Sequence, residues 1–267
     1  MVLSPLPNSD RIPKILARKG LKGITALGRR RVRNAAYLLQ REYGRDRLTF
    51  STVTIPSMEL PDMVLLHQNW HVAIESYRLS LRRLLKADGL SGEIVGVSEV
   101  QEKRHERTGL PVLHAHFVFL GGHGYGNWAM SPSQHDDIWA RAIGLALKRT
   151  ATSHKSSCNL QQVRASAESY LGKYMSKGAK NVEIILSQGY EAWLPKQWWN
   201  CSRSLIQWME NERRTIKDDC EFLLEAASRS LSELWSWNRS VSIEYASGHK
   251  IVVSVLVGLT NIYMEMH

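Results

Sequence analysis

The sequence predicts an α+β fold built on an antiparallel sheet with helices on one face. Short segments with apolar–polar alternation, which is typical of strands, are interspersed with longer segments of helical periodicity. Their order is β-α-β-β-α-β followed by a helix, the split β-α-β pattern of ferredoxin-like and RRM-like folds. Apolar residues make up 43% of the 267 residues, so the chain is long enough and apolar enough to bury a sizeable core.

Each element is predicted from its own local signals. Alternating β-branched and aromatic residues mark the strands, whereas prolines, glycines and one capping box mark where helices begin or end. The predicted strands cover 48–55, 92–100, 112–120 and 159–163, and the predicted helices cover 62–87, 131–150 and 165–177. A polar loop is expected over 101–111. His67 and His71 lie one turn apart on the first of these helices, where we expect a surface position for both.

The two ends of the chain fall outside this pattern. Residues 1–45 form a basic leader with a short predicted helix over 34–43. Residues 206–267 form an extension with a helix that begins near residue 205 and runs to about residue 237, then a β-hairpin over 241–257 that turns at Ser247-Gly248. Aromatic residues interleaved with Lys and Arg can stack unpaired bases, but packing that closes the domain is the favoured interpretation for Trp193, Trp198, Trp199 and Trp208.

Positive charge is concentrated in two regions. Residues 1–50 hold 12 Lys and Arg against 3 Asp and Glu, whereas the other 217 residues hold 23 against 22. Within the latter, residues 141–180 carry 8 basic residues and 1 acidic residue. Clusters of this kind attract polyphosphate chains by counterion release, so nucleic acid is the expected partner.

Two histidines interrupt the apolar strand at 112–120. His114 and His116 are two residues apart, so their side chains project from the same face of the strand. Burying two imidazoles without partners is costly, and a divalent metal ion is the simplest partner. Hydrogen bonding alone is the competing interpretation.

A second motif lies on the helix at 165–177. Tyr170 and Tyr174 are one turn apart and therefore neighbours on one face, with Lys173 and Lys177 beside them. The apolar complement of this helix is thin, consisting of Leu171 and Met175. An amphipathic helix with two packing tyrosines is the alternative to a functional pair.

Together these motifs resemble those of the HUH endonucleases, specifically the two-tyrosine rolling-circle replication initiators. That family has a His-hydrophobe-His strand followed by a helix with Tyr-x-x-Lys or Tyr-x-x-x-Tyr, and this chain has His114-Ala115-His116 and then Tyr170-x-x-Lys173-Tyr174. A third family motif, a strand of alternating Thr and apolar residues, is matched at 48–55. The resemblance covers residues 46–205, which would be the nuclease domain.

The resemblance implies metal-dependent nicking and rejoining of single-stranded origin DNA. His114 and His116 would hold Mg²⁺ or Mn²⁺, and Tyr170 would attack phosphorus to give a 5′-phosphotyrosine and a free 3′-OH. Lys173 would assist Tyr170, because a phenol with a pKa near 10 is a poor nucleophile at neutral pH. Tyr174 would act in the next round. A host helicase and polymerase would be further partners, since the sequence has no P-loop motif.

The third metal ligand is expected on the strand beside the histidines. Glu99 closes that strand and is preferred, with Glu102 as the alternative. For DNA binding, the candidates are basic residues of the leader and of the tyrosine helix: Arg29, Arg30, Arg31, Arg33 and Lys177.

Other functions remain open at this level. A two-tyrosine single-strand transposase would use the same chemistry, and a non-catalytic nucleic-acid-binding module could share the fold. A structural metal site is a further alternative. Three widely spaced cysteines exclude a disulfide framework or zinc finger, and with no signal peptide or membrane span visible they favour a cytoplasmic protein.

Overall fold

The computed structural model describes residues 23–122, 128–150, 157–164, 166–187, 189–215, 239–245, 251–257 and 260–266. The chain divides into two compact units, residues 1–210 and 211–267. The first unit combines a five-stranded antiparallel sheet with α-helices, so the predicted α+β class is confirmed.

Five strands of the first unit are joined in the order β4-β1-β3-β2-β5. They are β1 (Leu48–Thr54), β2 (Ile94–Val100), β3 (Leu113–Leu120), β4 (Cys158–Gln162) and β5 (Trp199–Cys201). The helices are α1 (Ala26–Tyr43), α2 (Leu60–Gln68), α3 (Trp70–Ala87), α4 (Glu102–Thr108), α5 (Pro132–Leu147), α6 (Ala167–Met175) and α7 (Gly178–Ser187), and a further helix covers 203–215.

Helices pack on both faces of this sheet, which corrects the expectation that they lie on one. Phe117 of β3 contacts Tyr77 of α3 on one face. Phe50 of β1 projects from the opposite face, where it contacts Tyr170 of α6. Both faces of β2 and β3 are therefore covered, and every residue of these two central strands is buried.

The face covered by α3 and α5 contains a buried polar network. The Ser51 hydroxyl lies 2.6 Å from the Tyr77 hydroxyl and 2.8 Å from His135 Nε2, and Tyr77 also lies 2.8 Å from His135 Nε2. These groups satisfy one another among apolar neighbours, so the network is a structural part of the core.

The helix predicted over 62–87 is in fact two helices, α2 and α3, separated at Asn69. The Asn69 side chain donates to the carbonyl of Ala146 at 2.9 Å. This bond joins the break between the two helices to α5, a contact between distant segments that apolar periodicity does not reveal. His67, at the end of α2, is buried, with its ring nitrogens 2.7 Å from the Met63 carbonyl and 3.3 Å from the Pro111 carbonyl, so the surface position expected for it is wrong.

Two short elements lie where no regular structure was expected. Helix α4 occupies the predicted loop and ends at Gly109, whose positive φ of 70° suits the left-handed cap of a helix. Strand β5 has only three residues, and a segment so short carries no usable periodicity. Trp193 and Trp198, which precede this strand, are both buried, in line with the packing interpretation.

Helix α1 begins at Ala26, well before the helix predicted at 34–43. The Thr25 side chain caps it by accepting from the Gly28 backbone N–H at 3.1 Å. Val32, Ala35 and Leu39 form a fully buried stripe on this helix, which packs against α6. Part of the basic leader therefore belongs to the core of the first unit.

The second unit contains a three-stranded antiparallel sheet in the order β6-β7-β8. Its strands are β6 (Arg239–Tyr245), β7 (Ile251–Val257) and β8 (Thr260–Met266). The predicted hairpin is thus extended by a third strand. The predicted turn at Ser247-Gly248 and the helix predicted beyond residue 215 lie outside the described residues.

Candidate metal centre

A glutamate and two histidines meet on neighbouring strands of the sheet. The antiparallel register of β2 and β3 places Glu99 opposite His114, with His116 two residues further along β3 on the same face. All three are buried, and Glu99 is only 2% exposed. The structure thus brings together the three residues that the sequence nominates as ligands.

The three side chains converge on one carboxylate oxygen. Glu99 Oε1 lies 2.6 Å from His114 Nε2 and 3.3 Å from His116 Nε2. One ligand atom from each residue lies within 4.8 Å of the other two. Two imidazole nitrogens and a carboxylate oxygen at this spacing could hold a divalent metal ion.

The protonation states of this group suit a cation. Burial opposes a charge on Glu99, but hydrogen bonds from His114 and His116 outweigh burial and lower its pKa to about 2. Burial lowers the pKa of His116 to about 4, although Glu99 opposes that change. At neutral pH the carboxylate is therefore ionised and the His116 ring neutral, which are the forms that bind metals.

Two residues of strand β1, which pairs with β3 on the side away from β2, contact the His116 ring. Thr52 pairs with His116 across the β1–β3 ladder, and its Oγ1 lies 3.0 Å from His116 Nδ1. A hydroxyl can donate or accept, so it can hold Nδ1 in either tautomer while Nε2 points toward Glu99. The Phe50 ring stacks on the His116 ring at a centroid distance of 5.3 Å. Thr52 and Phe50 belong to the predicted Thr-rich strand, but their contacts with His116 were not predicted.

Helix α6 brings both predicted tyrosines to this face of the sheet. Ser166 caps the helix by accepting from the Ser169 N–H, and α1 fixes its first turn, because Gln40 Oε1 accepts from the Ala167 N–H at 2.8 Å. The rings of Tyr170 and Tyr174 both contact Phe50, at centroid distances of 5.0 and 6.0 Å.

Tyr174 also contacts the candidate metal ligand His116 directly. Its ring stacks on His116 with a centroid distance of 3.6 Å and an interplanar angle of 18°. Burial raises the pKa of the Tyr174 hydroxyl, and the nearby negative charge of Glu99 raises it further. Lys173 is exposed, with its Nζ 5.9 Å from the centre of the Tyr174 ring.

Lys177, at the junction of α6 and α7, lies beside the carboxylate of the triad. Its Nζ is 3.5 Å from Glu99 Oε2 and 3.9 Å from Glu102 Oε2. The sequence already nominates Lys177 for contact with DNA, and the spacing Tyr174-x-x-Lys177, which repeats Tyr170-x-x-Lys173, is a signal that could have assigned it to the site. Glu102 lies on α4, outside the sheet, and contacts Lys180 at 3.5 Å.

A buried asparagine links α7, the helix after the tyrosine helix, to the ligand strand. Asn181 of α7 is fully buried, and its Oδ1 accepts from the backbone N–H of Val100, the residue after Glu99. Its own N–H donates to the carbonyl of Lys177. Sequence reasoning did not identify this residue, since nothing in its local pattern sets it apart.

The arginines nominated for DNA contact lie along α1. Arg33 pairs with Glu168 of α6 at 2.9 Å, and the Arg29 guanidinium donates to the carbonyl of Ile24. Arg30 and Arg31 are exposed. The four arginines therefore differ, since two of them already have partners within the protein.

Comparison of the chain with protein-family models, curated proteins and solved structures finds no match. Among the described residues, no helix has both the length and the apolar character needed to cross a membrane. A functional assignment therefore depends on the residues and geometry of the site.

Proposed function

We propose that this protein nicks and rejoins single-stranded DNA by metal-dependent transesterification, in the manner of a rolling-circle replication initiator. The observation that carries the proposal is the stacking of Tyr174 on His116, at 3.6 Å between ring centroids. It places a candidate nucleophile in contact with a group that could hold a metal ion.

The fold is compatible with this proposal. The order β4-β1-β3-β2 is that of a split β-α-β, or ferredoxin-like, sheet to which β5 adds an edge strand. In this chain β2 and β3 carry the candidate ligands, and α6, the helix that follows β4, packs against both strands. The fold supports the assignment without determining it, because function depends on the site.

In this proposal Glu99, His114 and His116 hold Mg²⁺ or Mn²⁺. The two imidazole ligands favour Mn²⁺, because Mg²⁺ prefers oxygen ligands throughout. The ion supplies Lewis acidity to the scissile phosphate and a counter-charge for the developing phenolate. Charge on Glu99 is one reason for the raised pKa of Tyr174, so neutralising that charge favours ionisation of this hydroxyl.

The tyrosine then acts as the nucleophile. Its Oη loses a proton to solvent and forms a bond to phosphorus, while the bond from phosphorus to the 3′ oxygen breaks and that oxygen takes up a proton. The products are a 5′-phosphotyrosine and a free 3′-OH that a host polymerase could extend. Rejoining is the same exchange in reverse, with the 3′-OH as the attacking group.

Of the two tyrosines, the contacts support Tyr174 as the first to act. The sequence favours Tyr170, which contacts Phe50, whereas Tyr174 contacts a candidate ligand. One helical turn, about 5.4 Å, separates the two residues along the axis, so both hydroxyls can serve one site in alternation.

The proposal is tested by incubating the protein with labelled single-stranded origin DNA and Mn²⁺, followed by denaturing electrophoresis. A protein–DNA band that survives denaturation and disappears with EDTA is expected. Tyr174→Phe should remove the first-round band, and Tyr170→Phe should retain it, because each change deletes one hydroxyl and leaves the ring packing in place. Tight binding without a covalent band from any strand would reduce the protein to a nucleic-acid-binding module.

Thr52→Val should weaken Mn²⁺ binding by about tenfold to a hundredfold. Valine keeps the shape of threonine but cannot bond to His116 Nδ1, so the ring loses the partner that orients it. Thr54→Val is the matched control, two residues away on the same strand and face. Isothermal titration calorimetry measures both affinities, and equal values for the two variants would show that the Thr52 bond has no role in ligand orientation.

A further inference from the structure

One oxygen of the triad carboxylate has no hydrogen-bond partner. Glu99 Oε1 contacts both imidazoles, whereas Oε2 is buried and accepts no hydrogen bond. A buried carboxylate oxygen without such a partner is costly, so it calls for a nearby cation. The Lys177 ammonium, 3.5 Å away, is that cation.

Lys177 is placed so that it can leave Glu99 without becoming unpaired. Its Nζ lies only 0.4 Å farther from Glu102 Oε2 than from Glu99 Oε2, at 3.9 Å against 3.5 Å. Its side chain is 29% exposed, so it also reaches solvent. Lys177 lies in the short turn between α6, which ends at Met175, and α7, which begins at Gly178.

A divalent metal on Glu99 would repel this ammonium. The ion and the lysine would compete for one carboxylate across a few ångströms in a buried site, where screening by water is weak. A phosphodiester bound at the same place would reverse the balance, because its negative charge attracts both cations. Metal and DNA phosphate would then each favour the binding of the other.

We propose that Lys177 couples metal binding to DNA binding: its ammonium occupies Glu99 in the DNA-free protein and transfers to the scissile phosphate when a strand is bound. This inference rests on the proposed function. It makes Lys177 a regulator of the metal site, so that the metal is held firmly only when there is a phosphate to act on.

The test is Mn²⁺ titration calorimetry on the full chain with Tyr170→Phe and Tyr174→Phe, a background in which no strand can be cut through these residues. In the absence of DNA, Lys177→Met should bind Mn²⁺ about tenfold more tightly than the background protein. Lys177→Arg, which keeps the charge, should retain the weaker affinity. Lys180→Met is the matched control, because Lys180 contacts Glu102 and, among the described residues, forms no ion pair with Glu99.

A second titration adds saturating poly-dT. The strand should tighten Mn²⁺ binding to the background protein by about five- to a hundredfold and should have a much smaller effect on Lys177→Met. If Lys177→Met and Lys180→Met bind Mn²⁺ equally tightly without DNA, the coupling role of Lys177 is overturned. This holds whether or not both affinities exceed that of the background protein. Absence of Mn²⁺ binding in every variant, with and without the strand, would instead overturn the metal site and the proposed function with it.

Discussion

Glu99→Gln is expected to eliminate the covalent DNA adduct, lowering its rate of formation by about a thousandfold, since a catalytic metal contributes several kcal/mol to charge stabilisation. The amide has the size of the carboxylate but no charge, and its NH₂ group would bond to the imidazole nitrogens that should bind the metal. Glu102→Gln should retain most activity, because that carboxylate lies on α4, where it contacts Lys177 and Lys180.

This pair of variants also decides whether Glu99 or Glu102 is the third metal ligand, a choice that the sequence left open. Adduct formation is followed by gel against time, and Mn²⁺ affinity is measured on the same preparations. Normal folding of each variant is checked by circular dichroism. A Glu102→Gln variant that loses activity while Glu99→Gln keeps it would transfer the ligand role to Glu102 and contradict the geometry described above.

The second large effect concerns acid stability. Burial lowers the pKa of His67 and of His135 to about 4 in the folded chain. In the unfolded chain imidazole titrates near pH 6.5, so between about pH 6.5 and pH 4 the unfolded state binds more protons. The free energy of unfolding therefore falls as the pH is lowered through this window, by up to about 1.4 kcal/mol per pH unit for each histidine and about 5 kcal/mol for the pair.

Urea unfolding of the metal-free protein at several pH values measures this slope. His135→Gln should reduce the slope by about the contribution of one proton, since glutamine does not titrate. His71→Gln is the control: desolvation and the nearby Lys196 lower the pKa of His71 too, but its ring is exposed and can be protonated without unfolding, so this change should reduce the slope by less. If neither His67→Gln nor His135→Gln reduces the slope, titratable groups other than these two histidines cause the acid sensitivity.

Alternation and periodicity predicted the central strands and the main helices, because β3 and α3 are long and each buries a regular set of side chains. The sequence could predict that a carboxylate lies near His114, since a carboxylate at the end of the adjacent strand, such as Glu99, is within reach of the histidines. The choice of Glu99 over Glu102 depended on where the strand ends.

Other features of the site depend on packing between segments that are far apart in sequence. Thr52 reaches His116 across 64 residues, and Asn181 reaches Val100 across 81. No local pattern marks Asn181, and the Thr-rich pattern that includes Thr52 does not reveal its contact with His116. The break at Asn69 and the burial of His67 have the same origin, because each depends on a backbone carbonyl supplied by another element.

The packing of α1 against α6 has a practical consequence for dissecting this protein. Gln40 bonds to the first residue of the tyrosine helix, and Arg33 pairs with Glu168 one residue further on. A truncated fragment that starts at residue 46, where the motifs begin, would lack both of these supports and expose the apolar underside of α6. The smallest fragment worth expressing therefore begins before Thr25, and sequence motifs alone would place that boundary too far toward the C-terminus.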